Sequence, residues 1–299
     1  GGLIRTRWLK NSRIHHNRII AKHTCGYGYK GGGHIAVRFD HNFVDTNYFA
    51  IESPFEHEFE FDIDHNRLTR CISIPKWYQE DPAEKGYEFS VRVHHNVLTD
   101  SYTIEGPRGY LEVDHNYIHV EKVGGRIYSH HGAQSRGPIR IHHNVIENVD
   151  MNLVWMNEGV IENLQVFNNT VFCADAGGRS GSLLSAWSAE RLSNWQFKNN
   201  IVVAAWSRPR QVYPMERGVP DKIEATHNLF VNFRNVPEGN IVDESPELER
   251  DGGKPAPFYL PSTEESNVID RGTDVGMPFN GKAPDLGAFE FGEEPWKLE

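Results

Sequence analysis

The sequence predicts an all-β chain wound as a parallel solenoid, and three observations carry that prediction. A short segment ending in His-Asn or Asn-Asn recurs along most of the chain. The positions around it are apolar in fixed columns, and 27 glycines with 16 prolines supply turns at a density that argues against a helix bundle. The copies are Arg13–Asn17, Arg38–Asn42, Asp62–Asn66, Arg92–Asn96, Glu112–Asn116, Arg140–Asn144, Gln165–Asn169, Gln196–Asn200 and Glu224–Asn228. Their terminal asparagines follow one another at 25, 24, 30, 20, 28, 25, 31 and 28 residues.

Counted from the Asn, position −3 is Ile14, Phe39, Ile63, Val93, Val113, Ile141, Val166, Phe197 and Ala225, and position +2 is equally apolar from Ile19 to Phe230. Position −5 is apolar from the second copy on, so −5, −3 and −1 share one face of a strand with a period of 2. The Asn breaks this alternation and is expected to be the single turn residue, in the left-handed region that Asn tolerates. On this phase the −1 histidines (His16, His41, His65, His95, His115, His143, His227) form an inward, neutral, hydrogen-bonded ladder rather than a zinc array. The −2 column of His15, Asp40, Asp64, His94, Asp114 and His142 is expected to face solvent.

Short strands, one turn residue per copy and a variable loop describe one coil of a β-solenoid. The repeat resembles the right-handed parallel β-helix of the pectate-lyase-like superfamily, whose coils stack Asn ladders at a turn. The resemblance covers about residues 1–232 and implies a rod of nine coils, roughly 43 Å long at the interstrand spacing. The coils are assigned to residues 1–233 and an irregular tail, packing on the helix and covering its last coils, to residues 234–299. Within the tail, Val268–Asp274 and Ala283–Phe291 look like the segment that closes many secreted bacterial β-helix proteins, so a secreted or periplasmic location is expected. The chain opens directly in strand-like sequence, and a separate N-terminal segment or a partner chain is expected to cap that end.

No apolar run approaches the ~18–20 residues of a membrane-spanning helix, so no membrane insertion is expected. A net charge of −10 disfavours a duplex nucleic-acid partner. Cys25, Cys71 and Cys173 are too few and too scattered for a disulfide framework.

Long loops on a rigid solenoid build the walls of a groove, so the strand before each long loop is where chemistry is sought. If Ile51, Ile74, Ile104, Ile127, Val154 and Leu184 point inward, their neighbours Glu52, Pro75, Glu105, Tyr128, Trp155 and Ser185 point out. Carboxylates, aromatics, Lys, Arg and His on one face suit a polysaccharide, with Trp77, His131, Trp155, Asn157, Glu158 and Trp187 as binding residues. Two reactions compete there. The first is β-elimination on a uronate-containing polymer, with Arg108 or His131 neutralising the carboxylate and Lys76, Tyr128 or His130 as base or acid. The second is inverting hydrolysis by Glu52 and Glu105, placed two coils or ~9.6 Å apart. The resemblance favours the lyase, and a non-catalytic glycan-binding or structural β-helix is the third reading. Similarity to the alginate lyase and chondroitinase B group would imply a Lys base, an Arg and an Asn/Glu/Glu calcium site. Lys76 and Arg108 lie on adjacent coils as that arrangement requires, but the acidic residues around them do not follow its motif. Ca2+ is left open as a cofactor without assigned ligands, and no other is expected.

Overall fold

The computed structural model describes residues 2–20, 27–32, 35–46, 48–52, 59–73, 89–105, 109–120, 127–130, 133–135, 138–149, 152–156, 159–173, 182–186, 190, 192–205, 209–213, 220–251 and 258–298. These residues form a right-handed parallel β-helix. A first sheet stacks nine parallel strands, Lys10–His15, Ile35–Asp40, Phe59–Asp64, Phe89–His94, Tyr110–Asp114, Ile139–His142, Leu164–Phe167, Trp195–Lys198 and Ile223–Thr226. Each passes through its Asn into a second, sixteen-stranded sheet, which runs from Gly2–Arg7 at one end to Ile241–Val242 at the other. A small third sheet, Ala133–Ser135, Gly159–Glu162 and Leu192–Ser193, closes the later coils.

The apolar columns fill the interior as the periodicity requires. From the second coil on, positions −5, −3 and +2 are buried, and they merge into one continuous core with Ile72, Ile104, Val154 and Leu184. Burying each such side chain contributes ~1.5–3 kcal/mol, so this column packing dominates the stability. Trp195 fills its layer and still satisfies its indole by donating to Ile161 O at 3.0 Å.

The turn differs from expectation in its phase. The left-handed residue is position −1, not the Asn: φ is 55° at His16, 53° at His41, 51° at His65, 53° at His95 and His115, and 50° at His143. That residue inverts the alternation, so the Asn behind it points inward and the histidine outward. Each Asn side chain then serves the coil on either side. The Asn116 amide nitrogen donates to Val93 O, Asp114 O and Asn144 Oδ1 at 2.8–3.0 Å, while its Oδ1 accepts from the backbone and side-chain nitrogens of Asn96. The same backbone-to-Oδ1 link runs unbroken from Asn17 through Asn42, Asn66, Asn96, Asn116, Asn144, Asn169, Asn200 and Asn228. It continues to Asn240, so the helix extends one rung past the expected boundary at 233.

In the −2 column His15 is exposed as expected, but the aspartates are buried rather than solvated: Asp40, Asp64 and Asp114 are 0% exposed. What covers them is the −1 imidazole of the same coil and an arginine from the coil before.

The tail returns to the coils. It runs back along the +1 column, where Val268 and Leu286 pack on Ile201 and Leu229, and Ala288, Phe289, Trp296 and Leu298 pack on Val97, Tyr117 and Val145. Gly287, at φ 91°, sits so close that a Cβ would meet Thr170 Oγ1 at 2.7 Å, which allows the next amide, Ala288 N, to reach that hydroxyl. In the two coils where Asn replaces the −1 histidine, the tail bonds that Asn directly. Asn168 donates to Asp285 O, and Asn199 both donates to and accepts from Thr273, a pairing that an amide side chain provides.

Candidate functional site

On the flank of the solenoid, position −4 of one coil faces position −2 of the next, and their charges complement each other. Arginine meets aspartate in Arg13–Asp40, Arg38–Asp64 and Arg92–Asp114, whereas an acid meets histidine in Asp62–His94 and Glu112–His142. Burial would raise the Asp40 carboxyl, but hydrogen bonds from Arg13 and His41 outweigh it and hold the group at about 2. Asp62, Asp64 and His94, and likewise Glu112, Asp114 and His142, gather their ligand atoms within 4.8 Å. These sets do not fit a metal: Asp64 is occupied by Arg38 and His65, Asp114 by Arg92 and His115, and the guanidinium supplies the positive charge already.

Outside this row the −1 imidazoles stack in parallel, with ring centroids 5.1–5.2 Å apart from His16 through His41, His65, His95 and His115 to His143. Burial, then the neighbouring His115, His94 and His65, lower His95 from 6.5 to about 4. A base whose folded value lies below its unfolded value binds fewer protons when folded, so its contribution is complete above the unfolded value and is lost as pH falls. Stability is therefore expected to decline from pH 6.5 to about 4. His95→Asn, which uses the residue found at 168 and 199, should flatten that decline in denaturation midpoints measured across the window; an unchanged slope would remove the stack as its cause.

The expected groove falls largely outside the described residues. Lys76, Trp77, Arg108, His131, Asn157, Glu158 and Trp187 all lie there. For the others the backbone register decides the columns. Glu105 pairs with Ser73 and Ser129, and Ser129 with Trp155, so Glu105 and Trp155 share a column two coils apart. Ala50, not Glu52, is the residue level with Ser73. Glu52 stands two residues beyond that column, which separates its Cα from that of Glu105 by roughly 12 Å. Tyr128 is level with the buried Ile104 and Val154, and His130 with Met156, one position away from the phase that the outward alignment assumed.

The cluster that the structure does assemble lies on the outward +1, +3 and +4 positions of two adjacent coils. His119 is level with Glu147 in the register, and Glu147 Oε2 accepts from Tyr117 Oη at 2.6 Å and from His119 Nδ1 at 3.2 Å. Its other oxygen accepts from Tyr259 Oη and lies 3.7 Å from Arg250 Nη2, both delivered by the antiparallel hairpin of the tail, Leu248–Asp251 with Phe258–Pro261. Asn148 Nδ2 donates to His119 Nε2 at 3.1 Å, which makes Nε2 the unprotonated nitrogen and Nδ1 the donor to the carboxylate. Burial pushes Glu147 upward, but hydrogen bonds from Tyr117, Tyr259 and His119 more than offset it and keep the carboxylate charged. Burial and the bond to that carboxylate raise both tyrosines, so they stay protonated as donors.

A carboxylate-oriented imidazole whose basic nitrogen is partly exposed, beside an exposed guanidinium, can take a proton from a bound anion. His119 and Glu147 in the same column of consecutive coils were legible in the repeat. Arg250 and Tyr259 were not, because nothing local ties the tail to those coils. No protein-family model matches the chain, and no curated protein matches it.

Proposed function

We propose that this chain cleaves an acidic, uronate-containing polysaccharide by β-elimination, with His119 as the base. The observation that carries the reading is the His119 imidazole held between Glu147 and Asn148, with Arg250 on the other oxygen of the same carboxylate. In the reaction the Asn148 amide gives up His119 Nε2 as substrate binds, Nε2 removes the C5 proton, and Arg250 offsets the charge that builds on the uronate carboxylate. The electron pair of the former C5–H bond then forms the C4–C5 double bond as the C4–O bond breaks, and the departing oxygen leaves with the pair of that C4–O bond and takes up a proton from water. The resemblance of the repeat to the pectate-lyase-like superfamily supports this class of substrate, and a secreted or periplasmic location would suit a polymer.

A second reading has its own observation. Tyr259 bonds Glu147 and packs its ring on Phe172 with centroids 4.3 Å apart, so the cluster also anchors the tail in a non-catalytic β-helix. Incubation with a panel of acidic and neutral polysaccharides, with and without chelator, separates them. Unsaturated product absorbing in the near ultraviolet is the expected result. Reducing ends without that absorbance would replace elimination with hydrolysis, and silence on every polymer would leave the anchor alone.

A further inference from the structure

The +1 column is one unbroken register: Arg18, Phe43, Arg67, Val97, Tyr117, Val145, Thr170, Ile201, Leu229 and Ile241. Its chemistry changes abruptly. From Val97 onward it is chiefly apolar and packed against the tail, whereas Arg18 and Arg67 are exposed and Phe43 is half-buried between them. The change is also electrostatic. On the flank of the same coils Arg13, Arg38 and Arg92 are each matched by an aspartate, and Arg70 by Asp100 at 3.3 Å. Among the described residues, no carboxylate pairs with Arg18 or Arg67, although the chain carries ten more acidic than basic residues. Arg18 instead lies over the Phe43 ring, 4.8 Å from its centroid. Beside the strip stand the stacked edges of His16, His41 and His65, one per coil at 5.1 Å.

We propose that this strip binds an anionic glycan running along the solenoid axis, as a holding site separate from the Glu147 cluster. Two guanidinium groups stand two coils apart, roughly 9.6 Å, with an aromatic face between them. An extended 1,4-linked uronate chain carries one carboxylate per ring and advances by about one coil spacing per sugar. Arg18, held over the Phe43 ring, and Arg67 would then hold alternate carboxylates, and the histidine edges supply hydrogen bonds. The glycan class rests on the proposed function; the site itself rests on the unpaired arginines and the ring beside them.

The test is affinity electrophoresis of the full chain through gels containing polygalacturonate, alginate or a neutral glucan, comparing the parent with Arg18→Ala/Arg67→Ala. The expected result is retardation by the polyuronates only, with binding roughly tenfold weaker in the variant. Its fold and its cleavage of short oligouronates should be unchanged. Equal retardation of parent and variant would overturn the site. So would equal retardation by the neutral glucan, or equal displacement by a single-stranded polynucleotide, which would mark a generic polyanion surface. Polyuronate that is bound through the arginines but never cleaved would sink the proposed reaction and leave this site standing.

Discussion

Replacing Asn116 with alanine is expected to destabilise the chain by ~3–5 kcal/mol. The side chain is 0% exposed and joins three coils. Its removal strands Val93 O and Asp114 O, which lose their amide donor, and leaves the backbone and side-chain nitrogens of Asn96 without the oxygen they share. Five buried polar groups, these four and Asn144 Oδ1, would lose a partner in one step. Because each coil contacts only its neighbours, the loss should appear as a separate, earlier transition in denaturant rather than a uniform shift. Asn17→Ala at the exposed end of the ladder is the control. Its amide still bonds Asn42, yet water can replace that partner, so a drop there as large as at Asn116 would disprove the argument from burial.

His119→Ala is expected to lower turnover on a uronate polymer by ~10²–10⁴-fold while leaving the denaturation midpoint near that of the parent. Its side chain is 28% exposed, so little packing is lost. Added imidazole should restore part of the rate, which a purely structural role for His119 would not allow. Glu147→Gln should behave differently, since it acts through the histidine. Turnover should fall less steeply, because the imidazole keeps its basic nitrogen and loses only the charged acceptor that orients it. If His119→Ala retains full activity, or if both variants merely detach the tail and melt together, the cluster is an anchor and not a catalytic site.

Much of the fold was written in the order of residues. A period of 2 on either side of each Asn, repeated coil after coil, leaves few ways to bury the apolar columns, because hydrophobic burial depends on which face a residue occupies and little on its distant neighbours. The phase of the turn was not legible, since His and Asn both tolerate positive φ and stood side by side. Only the packed ladder, with Asn bonded forward and back, decided between them. The same one-residue ambiguity changed the environment of the −2 aspartates and moved Tyr128 out of the column of Glu105.

The sequence by itself therefore determined the solenoid, its Asn column and its apolar interior, because these follow from local periodicity. Tertiary structure alone decided which charges meet across coils, and that the tail hairpin brings Arg250 and Tyr259 to Glu147, whose partners Tyr117 and His119 lie on the preceding coil. It also decided that the +1 column is covered from Val97 on and open at Arg18 and Arg67. The physical reason is that an electrostatic or hydrogen-bonded site depends on distance in space, and no periodicity encodes where a tail of irregular sequence returns to the coils.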